Sequence, residues 1–252
     1  MLFTAIDYAN RLFKKIKTAF MSHLSDNYFP KRNWYLYSFG KRRIAMLVWF
    51  LFFSITFLFA QDAKSAFDGH AWKAPYFLSM DGWEIERFLI PIEFAPGIKF
   101  SGVEDVRFTK GWGEVKSNEY WSYAFLWYLD GKPVINERDI EKNLAMYYNG
   151  LIGQNVGPRK IPAELVKPTK VTVKKIATQK GDQSTFSGTI DMLDYMQQKP
   201  ITFNCIVHQK LCDGQDKTFV FHEISPKPLT DSVWIALNKL WTDFDCNAKA
   251  VK

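Results

Sequence analysis

Two histidines, His208 and His222, stand in strand-like segments on either side of a turn signal, Asp213-Gly214. Histidines on adjoining strands are one way to begin a metal site. The spacing argues against one here. A three-residue loop holding Gly214 pairs Val207 with Phe219, which sets His208 opposite Thr218 and His222 opposite Asn204, too far apart for one ion. A two-residue Asp213-Gly214 turn instead sends the two rings to opposite faces of the sheet. Both are therefore read as structural or surface histidines, and neither a metal nor a cofactor is expected. The carboxylates do not converge either. Asp191 and Asp194 are three apart and mark the end of a strand, while Glu84, Glu86 and Glu93 run with Arg87 along what reads as a solvated strand face. A glycosidase needs two carboxylates at a set separation across a cleft, and nothing local requires that here. The chain has no G-x-S-x-G elbow, H-E-x-x-H, P-loop, C-x-x-C or dinucleotide fingerprint.

The aromatic residues give the other candidate chemistry. Trp83 follows Asp81-Gly82 and Trp112 lies between Gly111 and Gly113, so both sit near turns. A tryptophan there can stack on a ligand or fill a partner's pocket, or it can fold back over the end of the core. If the protein has a binding face, its candidate residues are Trp83, Arg107 and Trp112. Three cysteines fall in the last quarter of the chain. Cys205 alternates with Phe203 and Val207 and reads as a small core residue. Cys212 lies at a hairpin turn and Cys246 just after the last helix. A Cys212–Cys246 bridge would pin that helix to the sheet and stabilise by about 3–4 kcal/mol. All three thiols reduced is the competing arrangement.

The elements that must position these groups are set by turn signals and periodicity. An extended segment, Trp83 to Phe94, is interrupted by Pro91. A short strand, Val103 to Phe108, ends at the glycines around Trp112. Next, Trp121, Tyr123, Phe125 and Trp127 alternate with Ala124, Leu126 and Tyr128, so this strand is apolar on both faces, as a central covered strand is. Asn136 caps a helix on which Ile140, Leu144, Tyr147, Tyr148 and Leu151 keep helical spacing, with Gly150 or Gly153 as its end. A connector, about 156–169, carries Gly157, Pro158, Pro162 and Pro168. Four strands come next, near 170–178, 184–191, 200–209 and 217–224, then a helix over 231–244, capped by Thr230 or Asp231, with Val233, Leu237, Leu240, Trp241 and Phe244 on one stripe. The expected fold is one α+β domain, β-β-β-α-β-β-β-β-α, with an antiparallel sheet of about seven strands and the helices on one face, as when a curved sheet wraps a helix in cystatin-like folds.

The charge of the chain is unevenly placed. Its net +7 lies wholly in residues 1–43, where nine Lys and Arg meet only Asp7 and Asp26; the rest is neutral. Behind this leader comes Ile44 to Ala60, seventeen residues without a charge, about 25 Å as a helix. Basic residues are retained on the cytoplasmic side, so the segment is expected to export the chain beyond Ala60. It is read as a signal peptide cut between Ala60 and Gln61, with a retained anchor, N-terminus in the cytoplasm, as the alternative. The leader itself is either a basic helix on the inner membrane face or the product of a start assigned ahead of a true one such as Met21. This topology accounts for the basic excess, so the expected partners are the membrane through 44–60, at least during export, and an unnamed protein or small-molecule ligand. Nucleic acid is not among them.

Three stretches, "DGWEIERF", "EDVRFTKGWG" and "EYWSYAFLWYLDG", carry a resemblance to uncharacterised exported proteins of Gram-negative bacteria, over about residues 80–245. The resemblance implies a periplasmic or secreted setting and brings no activity with it. The expected role is a non-catalytic binding or interaction domain of the cell envelope, and the alternative is an exported hydrolase with dispersed acid and base residues.

Overall fold

The computed structural model describes residues 67–247. The leader 1–43, the apolar run 44–60 and the Ala60–Gln61 bond lie outside them, as do the export and membrane expectations built on those segments. Within the described residues no helix is long and apolar enough to cross a membrane.

The chain forms β1 (Glu84–Ile90), β2 (Gly102–Phe108), β3 (Tyr123–Asp130), α1 (Glu137–Val156), a 3-10 turn (Ala163–Leu165), β4 (Lys170–Lys175), β5 (Ser184–Asp194), β6 (Lys199–Leu211), β7 (Lys217–Ser225) and α2 (Val233–Thr242). All seven strands join one sheet in the order β1-β2-β3-β7-β6-β5-β4. Every neighbouring pair is antiparallel. The fold is thus α+β in the order read from the sequence.

The helices do not share a face, which corrects the expectation above. β3 shows why: both its faces are apolar and need cover. Tyr123, Phe125, Trp127 and Leu129 pack with Leu144, Tyr147 and Tyr148 of α1. Ala124 and Leu126 pack with Leu237, Leu240 and Trp241 of α2. Leaving either row in water would forfeit about 1.5–3 kcal/mol for each large side chain.

Local chemistry sets the element ends. The side chain of Asn136 accepts from the amides of Arg138 (3.0 Å) and Asp139 (3.2 Å), and Asp139 returns a carboxylate to the amide of Asn136 (3.1 Å). This reciprocal capping satisfies amides that a helix start leaves open. The helix runs past Gly150 and Gly153 to Val156, later than expected. Gly150 belongs in its interior because a Cβ there would meet the carbonyl oxygen of Phe94 at 1.9 Å. Trp121 lies outside β3, where alternation had placed it inside. Its φ of 55 is left-handed. That backbone costs a bulky residue energy, and the fully buried ring, packed on Trp112, Tyr195 and Phe203, holds it there.

Candidate functional site

The stripe Val233, Leu237, Leu240 and Trp241 turns one side of α2 into the core. Its other side carries Ile235, Ala236, Lys239 and Thr242, all exposed. Ile235 is 74% exposed. Two depressions flank this ridge. One, about 510 Å³, is lined chiefly by Leu229, Trp234, Ile235, Asn238 and Lys239. The other, about 230 Å³, is lined by Gly82, Trp83, Thr109, Lys110, Glu119 and Ala236. Glu119 is fixed there by the amide of Gly111 (2.9 Å), and Thr109 by the carbonyl of Ser122 (2.8 Å).

The structure separates the three candidate binding residues. Trp83 packs partly buried against the α2-side core and borders the smaller depression. Trp112 packs on the opposite core, against Phe108, Trp121 and Tyr123. Arg107 is buried at 1% exposure. Its guanidinium donates to both oxygens of Asp105 and to the carbonyls of Leu78 and Ser79. Asp105 also accepts from Arg87 Nε (2.9 Å) and from the hydroxyl of Tyr76 (3.1 Å). Arg107 therefore clips the segment before β1 to the sheet. Arg87 likewise points inward to Asp105, unlike its neighbours Glu84, Glu86 and Glu93, which are exposed as expected.

The histidines are on opposite faces. His208 pairs with Phe221 and Val207 with His222. The register differs from the three-residue-loop expectation because residues 212–216 all lie between the strands, with Cys212 drawn out of β6 to bond Cys246. On the α2 side His208 lies between two carboxylates: Nδ1 is 2.8 Å from Asp182 and Nε2 3.2 Å from Glu223. Burial alone would lower its pKa, but hydrogen bonds and charge from Asp182 and Glu223 together raise it above the ordinary histidine value. On the α1 side His222 stacks on Phe125 at 4.2 Å, and burial pushes its pKa down to about 3. Glu104, on the same side, accepts from Trp127 Nε1 (2.9 Å) and the Tyr147 hydroxyl (2.8 Å). Burial raises it to about 7. Among the described residues no three His, Cys, Asp or Glu side chains gather to hold a metal.

The remaining carboxylates also take structural places. β5 runs through Asp191 to Asp194, so the strand is longer than expected. Asp191 is exposed and accepts from Thr202, whereas Asp194 is buried and accepts from the Tyr120 hydroxyl at 2.7 Å. Cys212 and Cys246 form a disulfide, and Cys205 is a buried thiol whose pKa burial raises to about 12.

Reading the sequence missed Ile235, Lys110, Glu119, Asp182 and Glu223. Ile235 was visible as an apolar residue off the helix stripe. Glu223 was visible as a charge inside "TFVFHEIS", where a covered strand must supply it with a partner. Asp182 stands in the turn signal Lys180-Gly181-Asp182, which marks a turn and gives no sign of what its carboxylate meets. No protein-family model, curated protein or solved structure matches this chain.

Proposed function

We propose that this domain is a non-catalytic binding module of an exported or cell-envelope protein, and that the outer flank of α2 is its binding surface. The observation that carries the reading is Ile235, held in water on a helix whose other large apolar side chains are buried. Leu229 and Trp83 border the depressions on either side of it. An apolar centre with Asp231, Lys239, Lys110 and Glu119 around it has the anatomy of a protein–protein contact, so the partner is a protein offering apolar side chains to these depressions. The groups fit for acid–base work, His208, His222 and Glu104, face into the core instead. The disulfide supports an oxidising compartment.

Site-specific photo-cross-linking in the native cell tests the surface. A cross-linker in place of Ile235 is expected to trap a protein adduct of discrete mass, and one in place of Val134, exposed between β3 and α1, is not. No adduct at 235, or the same adducts from both sites, would overturn it. Fractionation with N-terminal sequencing tests the compartment: a chain beginning at Gln61 outside the cytoplasm is expected, and an intact Met1 form in the cytosol would overturn export.

A further inference from the structure

Under α2, His208 sits fully buried with each ring nitrogen facing a carboxylate. We propose that His208, Asp182 and Glu223 form a protonation latch that seats α2 on the sheet and so governs whether the surface around Ile235 is presented. This rests on the reading of α2 as the binding face and adds its regulation.

The geometry gives the latch its logic. Imidazole has two N–H donors only when protonated; the neutral ring has one donor and one lone pair. The distances of 2.8 Å to Asp182 Oδ2 and 3.2 Å to Glu223 Oε1 give both nitrogens an acceptor. The same two carboxylates hold α2. Trp241 Nε1 donates to Asp182 Oδ1 at 2.8 Å, and Asn238 Nδ2 reaches Glu223 Oε1 at 3.4 Å. The Trp241 ring also stacks on His208, with centroids 5.2 Å apart. Proton, carboxylates and helix thus form one network. Glu223 Oε2 is buried without a partner among the described residues, so this carboxylate already depends on the cation beside it.

The groups facing His208 come from every element packed against it. Asp182 comes from the β4–β5 turn, with Thr185 of β5 donating to it (2.6 Å), and Glu223 from β7. From β6, the Lys210 ammonium lies over the rings of Trp241 and Phe244, 5.6 Å from each. α2 contributes the uncharged Asn238 and Trp241, and His222 lies on the far face of the sheet. When His208 loses its proton, one carboxylate faces a bare lone pair inside the protein, which is costly. The folded pKa is raised, so the stabilisation is present in full below about 6.5 and is lost as pH rises through the folded value. Alkalinisation therefore loosens α2.

Hydrogen exchange of the full chain, without any partner, reads the latch directly. After correction for intrinsic rates, α2 amides are expected to lose protection relative to α1 amides as pH rises from about 6.5 through the folded value of His208. The imidazole carbon shifts of His208, followed by NMR on the unmutated protein, should titrate with the same midpoint. In His208→Gln the differential pH response should vanish. An equal response of α1 and α2, or a His208 midpoint at or below that of an ordinary histidine, overturns the latch even if His208→Gln fails to fold. Because no partner is present, failed cross-linking at Ile235 would remove the binding surface and leave this result standing. Successful cross-linking with a pH-indifferent α2 would do the reverse.

Discussion

His208 and His222 are the same residue type on adjoining strands, both with 0% exposure and both stacked on an aromatic ring. Their proton affinities nevertheless move in opposite directions. What differs is the company of the ring nitrogens. His208 has a carboxylate at each end, whereas His222 has the Phe125 carbonyl at 3.3 Å and a buried Nε2 without a partner among the described residues. Burial therefore does not decide the charge of a core group; the partners do. The lesson extends to the two faces of the sheet. Beneath α2 the core keeps charge and pairs it, in Asp105 with Arg87 and Arg107 and in Asp182 and Glu223 with His208. Beneath α1, by contrast, Glu104 is raised to about 7 by burial and has neutral Trp127 and Tyr147 as its donors.

The largest test of that contrast is Asp105→Asn. It leaves two guanidinium groups on the α2 side with one oxygen in place of a carboxylate, and uncompensated buried charge typically costs about 3–5 kcal/mol. Urea unfolding at neutral pH measures it; a loss below about 1 kcal/mol would mean that the pairing is incidental. Reducing the Cys212–Cys246 bond comes next. The two cysteines are 34 residues apart, which corresponds to about 3–4 kcal/mol on the chain-entropy account. Because the bond ties the residues after α2 to the β6–β7 loop, native-state hydrogen exchange in the reduced protein should quicken in α2 before α1. Equal quickening would show that the two faces open as one unit.

How far the sequence reached depended on the range of each interaction. The order of elements along the chain, both helices, the Asn136 cap and the buried stripe of α2 are written in periodicity and turn chemistry within a few residues, and they were legible, whereas the pairing of β3 with β7 was not. The split of the helices between two faces was implied by β3, whose Ala124 and Leu126 also required cover, but the expected one-faced sheet had no place for them. Arg107 was a candidate for a binding face: Asp105, two positions away in the expected strand, already shared its side of the sheet, but the carbonyls that complete its burial are 28 and 29 residues earlier and left no local signal. The His208 network was beyond reach for a related reason. Asp182, Glu223 and Trp241 arrive from separate elements, and the five-residue β6–β7 connection that sets their register is fixed by Cys246, far along the chain.

The finest test lies within the α1 face, where Glu104 and His222 should pull the pH profile in opposite directions. Glu104 is protonated more readily folded than unfolded, so it lowers stability as pH rises from about 4.5 to about 7. His222 resists protonation when folded, so it lowers stability as pH falls from about 6.5 to about 3. Between about pH 4.5 and 6.5 the two slopes nearly cancel in the natural chain. In Glu104→Gln the amide can still accept from Trp127 and offer a proton to Tyr147. The stability of this variant relative to the natural protein should climb with pH across that interval by about 1–3 kcal/mol. In His222→Phe, which keeps a ring against Phe125, the same difference should fall by a similar amount. Reading each as a difference removes the other titrating groups, and reading slopes removes any fixed packing cost. Two variants that both run parallel to the natural profile would show that this face carries charge as readily as the other, and the contrast drawn from His208 and His222 would fail. Opposite slopes from two residues under one helix require a core that excludes the charged form of acid and base alike, which is the property that Asp182 and Glu223 cancel for His208 on the other side of the sheet.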